Sequence, residues 1–227
     1  MTRSSQPRGR FLSFEGMEGA GKSTNLAVVR RRIEAHLSRP EGSVGPRLVV
    51  TREPGGTPLA EEIRDLLLAV REEPVTAEAE LLLIFAARAQ HVSGLIEPAL
   101  SAGDWVLSDR FTDASYAYQG GGRCLDEALI ERLERAAVGA LVPDLTLFLD
   151  LSWEESVERI RGRPLDRFER EAQDFFERVR TGYRERLAQD PERFAIIDAA
   201  QPLAAVEAQI IDVLNDRLQS WQNANDA

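Results

Sequence analysis

Phe11-Leu12-Ser13-Phe14-Glu15-Gly16-Met17-Glu18-Gly19-Ala20-Gly21-Lys22-Ser23-Thr24 runs from a β-compatible stretch through a glycine-rich turn. It then enters a segment whose apolar positions, Leu26, Val29 and Ile33, keep helical spacing. Within it, Gly16 to Ser23 matches G-x-x-x-x-G-K-[ST] in the strand, loop, helix context that a P-loop requires. The glycines let the backbone wrap with its N–H groups turned inward, and the following helix adds the positive end of its dipole, so the loop receives polyphosphate. Gly16, Gly19, Ala20, Gly21 and Thr24 belong to this cradle, Lys22 reaches the β- and γ-phosphates, and Ser23 offers its hydroxyl to Mg²⁺ carried on those phosphates. A glycine turn that merely packs a helix on a strand has no need of the lysine. Of the 28 basic residues 27 are Arg, and the only Lys is Lys22.

Outward from the loop, strands and helices alternate. Residues 11–14, 48–51, 105–108, 145–149 and 194–197 read as strands. Helices are expected over 22–37, from Thr57 to about Val70, over 76–100 with an interruption near Pro98, and over 127–138, 153–160, 168–187 and 203–218. Gly120 to Gly122 reads as a turn. Parallel strands need crossover connections, so this alternation predicts an α/β fold of P-loop NTPase type: three α/β/α layers around a five-stranded parallel sheet. Ligands then bind at the carboxyl ends of the strands.

The 227 residues, 43% of them hydrophobic, suffice for one domain, expected over residues 10–219, with mobile tails at 1–9 and 220–227. A net charge of −10 argues against a broad nucleic-acid or anionic-membrane footprint, so an anionic ligand must be bound locally. The longest uninterrupted apolar run, Leu81 to Ala87, is far shorter than the roughly 20 residues that span a bilayer. Residues 1–10 lack the apolar core of a signal peptide, and the single Cys124 has no internal partner; both fit a reducing cytoplasm.

A P-loop is shared by switches, motors and kinases. A guanine-reading Asn-Lys-x-Asp segment requires a second lysine, which the chain lacks, so a Ras-like switch is disfavoured. The stretch Asp109-Arg110-Phe111-Thr112-Asp113-Ala114-Ser115-Tyr116-Ala117-Tyr118-Gln119-Gly120-Gly121-Gly122-Arg123 resembles the Asp-Arg-Tyr/Phe/His…Ser…Ala-Tyr-Gln-Gly signature of thymidylate kinases. Thr51-Arg52-Glu53-Pro54-Gly55-Gly56-Thr57, Phe85-Ala86-Ala87-Arg88-Ala89-Gln90, Leu165-Asp166-Arg167-Phe168-Glu169 and Asp198-Ala199-Ala200-Gln201-Pro202 extend the resemblance over about residues 10–219, and their order and spacing are similar to the bacterial branch.

The resemblance implies transfer of the γ-phosphoryl group of ATP to dTMP, with Mg²⁺, by a homodimer. It assigns Arg52 and Arg110 to the acceptor phosphate, Asp109 to the Mg²⁺–water shell or to orienting the acceptor, and Glu18 to the 3′-hydroxyl. Arg88 with an adjoining aromatic is assigned to the thymine ring, Ser115 and Gln119 to base-side polar contacts, and Tyr118 to crowding the 2′ carbon. Where the family commonly has its stacking Phe, this chain has Ile84, with Phe85 one residue later; one helical residue is about 100°, so either side chain is open for the base. Gly19 stands where another branch carries a catalytic Arg. The missing charge is therefore expected from a lid over about residues 159–170, with Arg161 or Arg163 catalytic, Arg159 against the adenine, and Arg167 paired with Asp166 or Glu169. An acceptor phosphate is already ionised near neutral pH, so Lys22, Mg²⁺ and lid arginines act by positioning and charge neutralisation without a strong base.

Overall fold

The computed structural model describes residues 8–40, 45–161 and 166–226. Five strands, β1 (Phe11–Gly16), β2 (Leu48–Arg52), β3 (Trp105–Asp109), β4 (Leu145–Asp150) and β5 (Phe194–Asp198), form one sheet in the order β2-β3-β1-β4-β5. Every pairing is parallel. β1 is central and buried along its whole length, as its near-continuous apolar run demands of a strand covered on both faces. Because β1 pairs with β3 on one side and β4 on the other, the chain reverses its winding beside the P-loop, and a crevice opens at the carboxyl ends of these strands.

On one face, α1 (Lys22–Leu37) and α9 (Leu203–Asp226) close a core of Leu12, Phe14, Leu107, Leu147 and Ile197 with Val29, Ile33, Ile210 and Leu214. α9 continues beyond the expected 218, through residues expected as part of the tail. Trp221 packs edge-on against Trp105 at 5.5 Å and lies under Arg10 at 4.9 Å. The other face carries α2 (Pro58–Leu68), α3 (Ala77–His91), α4 (Glu97–Ser101), α5 (Thr112–Ser115), α6 (Glu127–Ala137), α7 (Trp153–Ile160) and α8 (Gln173–Gln189) among its elements.

Three helical expectations need correction. Residues 77–101 form one uninterrupted helical column, because a π-helical segment, Val92–Ile96, leads into α4 and its wider winding comes just before Pro98 in the first turn of α4. By its length of 25 residues and a stretch of mean hydropathy 1.2 within it this column is a candidate span, but half of that stretch is buried in this fold. Glu80, Arg88 and His91 are buried within it, in the polar contacts of a core helix. Gly120 to Gly122 is no turn; it ends a second π-helical segment, Tyr116–Gly122, whose wider winding continues α5. α8 begins at Gln173 and not Phe168, since Asp166 Oδ1 accepts the N–H groups of Phe168 and Glu169 and holds a local turn.

Candidate active site

Gly16 and Gly21 have φ of 147° and 82°, which an L side chain resists, and a Cβ on Gly16 would stand 2.9 Å from the Leu149 carbonyl. Gly21 caps α1 without any side-chain bond to the free N–H groups, whereas Thr57, Thr76, Asp126 and Ser152 each cap the helix that follows them. The first turn of α1 also lacks acidic residues. An open, uncapped N-terminus is a receptor for an anion. Lys22 Nζ donates to the carbonyls of Gly16 at 2.9 Å and Met17 at 3.2 Å, and burial, then the nearby Arg110, lowers its pKa. Gly19 is half-buried, Ala20 buried, and Ser23 and Thr24 exposed at the helix start.

β3 ends one strand away. Asp109 is paired in register with Phe14, and its Oδ1 is buried without a hydrogen-bond partner. No group of three His, Cys, Asp or Glu among the described residues gathers a metal by itself. Ser23 and Asp109 fit Mg²⁺ delivered on phosphates, which keeps most of its waters and takes few protein oxygens. The orphaned Asp109 oxygen is the acceptor such a water needs.

Arg110 follows in a left-handed conformation, φ 71°, a strain that its neighbours hold in place. Its N–H bonds Phe14 O at 3.0 Å, and the next N–H, of Phe111, bonds Glu15 Oε1 at 2.7 Å. Its guanidinium reaches Glu18 Oε1 at 2.5 Å, Tyr118 Oη at 3.1 Å and Tyr183 Oη at 3.1 Å. Tyr118 donates to Glu18 Oε2 at 2.6 Å, and Tyr183 to Glu15 Oε2 at 2.8 Å. Glu18 thus holds Arg110 directly, and Glu15 holds it through Tyr183. Burial works against charge on Glu18, but Arg110 and then Lys22 outweigh it and hold its pKa below the ordinary value. Burial, followed by repulsion from Asp113, pushes Glu15 up to about 8.

A cleft of about 580 Å³, counting its open mouth, lies beside this cluster. Its walls bring together Glu18, Arg88, Arg110, Ser115, Tyr118 and Gln119, all expected from sequence, and Ile84, one of the two side chains left open for the base, with Glu53, Pro54, Arg64, Leu68, Ala114, Asp166 and Phe168, which were not expected. Arg88 is 2% exposed and donates to Glu53 at 2.7 Å, Ser115 Oγ at 2.9 Å and Phe111 O at 3.1 Å. Glu53 in turn faces His91 Nδ1 at 3.0 Å; burial opposes its charge, and Arg88, then His91, overcome that and lower its pKa. Glu53 and Phe168 stood inside quoted motifs, the only signal that could have marked them.

Several expected residues lie elsewhere. Phe85 turns into a core of Leu81, Tyr116 and Ile130, while Ile84 lines the cleft. Arg52 is outside the cleft walls, 54% exposed and paired with Glu61 at 2.7 Å. Arg167, expected to pair with Asp166 or Glu169, instead donates to Leu67 O at 2.9 Å and contacts Glu80 at 2.7 Å. Arg159 bridges the P-loop and the loop after β5, at 3.5 Å from Gly19 O and 2.8 Å from Ala199 O. Arg161 is exposed and paired with Glu158 at 2.7 Å. Arg163 lies outside the described residues.

This geometry has close counterparts. The Thymidylate kinase family model matches residues 14–210. A thymidylate kinase of Teredinibacter turnerae is 55% identical over 206 residues, covering 89% of this chain and 95% of that protein. One from Hahella chejuensis is 51% identical over 212 residues, covering 93% and 98%. The crystal structure of thymidylate kinase from Ehrlichia chaffeensis superposes with a TM-score of 0.71 at 30% identity, over 92% of this chain and 99% of the other. With an open P-loop, an orphaned aspartate at its edge and an arginine-lined cleft sharing Glu18 as a wall, the chain belongs to the thymidylate kinase family, nucleoside monophosphate kinases that phosphorylate dTMP to dTDP.

Proposed function

We propose that ATP binds with its phosphates on the Gly16–Thr24 loop and that dTMP lies in the cleft, base against Ile84 and phosphate toward Arg110. One observation carries this reading: Glu18 belongs to the P-loop and also lines the cleft, so donor and acceptor sites share a wall. Arg88 and Ser115 form the buried polar end suited to a base carbonyl, and Gln119 supplies a neighbouring amide. Glu18 and the Tyr118 ring face the sugar, where Tyr118 crowds a 2′-hydroxyl. Arg52, with Glu61 beside it, stands outside the cleft and reaches the acceptor phosphate by leaving that ion pair.

In this reading Lys22 leaves the Gly16 and Met17 carbonyls for the β- and γ-phosphates. Arg110 holds the acceptor oxygen in line, and the N–H groups at the start of α1 take the charge that spreads over the transferring group. Ser23, and Asp109 through water, would hold Mg²⁺, which would supply neutralisation of phosphate charge. Arg161 or Arg163 completes the neutralisation from the lid, and Arg159, spanning Gly19 and Ala199, flanks the adenine. The reading places the enzyme in the cytoplasm. Leu59 and Leu66 on α2, Val70 just past its end and Leu82 on α3 are large apolar side chains, each more than 40% exposed, and they favour a homodimer across these helices. Sedimentation of the purified chain tests that assembly.

The activity test is ADP release from ATP and Mg²⁺ with dTMP, dUMP, dCMP, AMP and GMP in turn. dTMP is expected to exceed the others, and an equal rate with AMP would defeat the assignment of the cleft to thymine.

A further inference from the structure

Glu80 is fully buried one turn into α3, just ahead of the apolar run Leu81 to Ala87, and it is not a cleft residue. Its Oε1 accepts from Gln119 Nε2 at 2.8 Å and Arg123 Nε at 3.3 Å, and its Oε2 from Arg123 Nη2 at 3.1 Å. Arg167 Nη2 stands 2.7 Å from Oε2, a charge contact without hydrogen-bond alignment. Arg123 is held from its far side by Glu171 at 2.5 Å, and Arg167 by Leu67 O. Both oxygens therefore face donors only.

A carboxylate surrounded in this way leaves Gln119 one choice. Only the amide NH₂ can donate to it, so the rotamer that presents Nε2 to Glu80 presents Oε1 to the remaining side, and Gln119 lines the cleft. We propose that Glu80 is a specificity-positioning residue: it locks the Gln119 amide with its carbonyl oxygen toward the acceptor base, selecting a pyrimidine that carries a ring N–H over one that carries a bare ring nitrogen. Thymine and uracil offer that N3–H. Cytosine offers an acceptor at the same place, where it meets the amide oxygen and leaves two lone pairs opposed. A buried polar group left unpaired costs far more than a methyl group misplaced, so the lock acts on discrimination more than on affinity in general.

The proposal rests on the reading of the cleft as the dTMP site and is tested with controls that separate the two. In Glu80→Gln the neighbour of Gln119 can donate or accept, so the Gln119 amide is free to flip; the ratio of kcat/KM for dTMP to that for dCMP should shrink tenfold or more, while KM for ATP stays within about twofold. A purely structural glutamate would lower the melting temperature and leave the ratio of the folded enzyme unchanged, and a ratio within twofold of the parent enzyme overturns the proposal. Should Glu80→Gln fail to fold, Glu80→Asp draws the carboxylate back by one methylene and should narrow the ratio at least threefold; an unchanged ratio there overturns it equally. Gln119→Met removes the amide and should collapse the ratio by itself, with Glu80→Gln adding nothing further on that background. Full multiplication of the two effects would mean that Glu80 acts by another route. If Gln119→Met and Arg110→Ala both leave dTMP kinetics untouched, the cleft is not the acceptor site and the underlying reading falls. A normal response of both controls beside an unmoved Glu80→Gln removes only the lock.

Discussion

Arg88 and Arg110 in the cleft are 2% and 15% exposed, each with three hydrogen-bond partners within 3.1 Å, whereas Arg161 at the lid is 71% exposed and paired with Glu158 on its own helical turn. The same guanidinium is used in two states. In the cleft its geometry is fixed before a nucleotide arrives, at the cost of burying Glu15, Glu18 and Glu53 nearby. At the lid nothing is spent in advance, and an exposed arginine is worth almost nothing until a closed site desolvates it. On the proposed function, binding is built into the sheet edge and the last catalytic charge is left to a conformational step, which would also keep that charge from promoting ATP hydrolysis when the acceptor is absent.

The sharpest way to break this contrast is at the lid. Arg161→Ala or Arg163→Ala, whichever residue reaches the transferring group, should lower kcat by about 10³-fold or more while KM for dTMP changes little. The parent melting temperature should be kept, since the Arg161–Glu158 pair is solvated. Steady-state kinetics of both single variants and the double variant decide it; turnover within a few-fold in all three ends the lid-arginine mechanism.

In the cleft the signature should be reversed, with stability falling together with affinity. Arg88→Met leaves Glu53 buried with His91 as its remaining side-chain partner, and breaking a buried pair costs about 3–5 kcal/mol. Denaturant unfolding should register that loss, and KM for dTMP should rise tenfold or more. A variant that lost affinity but no stability would mean that Arg88 is not preset by Glu53.

Glu15 gives the cost of presetting a pH dependence. Its carboxyl, raised to about 8 in the folded protein by burial and then by Asp113, titrates near 4.5 when unfolded. Between those values the folded chain binds the extra proton, so the contribution is full below pH 4.5 and is lost as pH rises through 8. Over that window the loss amounts to a few kcal/mol. Glu15→Gln keeps an acceptor for the Phe111 N–H and has nothing to ionise, so its stability relative to the parent should grow from pH 5 to pH 8.5. Parallel melting curves across that range would show that Glu15 is not raised.

How far these features could be read from sequence depended on whether they have a period. The P-loop and five strands were legible because glycine spacing and short apolar runs encode them directly, and α1 and α7 appear with the expected bounds. The π-helical segment 116–122 was not legible, since its wider winding leaves no repeat in so short a stretch and its glycines imitate a turn. Buried carboxylates were the larger omission. Glu15, Glu53 and Glu80 look like surface charge in composition, and only the fold shows Tyr183, Arg88 and Arg123 arriving from distant segments to satisfy them.

The smallest expected effect concerns the helical rotation between Ile84 and Phe85. Phe85 touches the site only through Arg88, whose guanidinium lies 4.6 Å over its ring, whereas Ile84 forms the apolar wall itself. Phe85→Leu keeps most of the apolar volume and loses a cation–π contact worth about 0.5–2 kcal/mol, which should appear as a lower melting temperature with KM for dTMP within about threefold. Ile84→Ala strips the surface facing the base, and a methylene in such a pocket is worth roughly 1–3 kcal/mol at most. The lower end of that range corresponds to about five- to tenfold in KM. Measured together, the pair sets an internal order: Ile84→Ala must exceed Phe85→Leu in its effect on KM, and Phe85→Leu should cost stability without a matching change in affinity. The reverse order would put the aromatic ring, and with it the turn of α3, on the opposite side of the cleft from the one its packing against Leu81, Tyr116 and Ile130 requires.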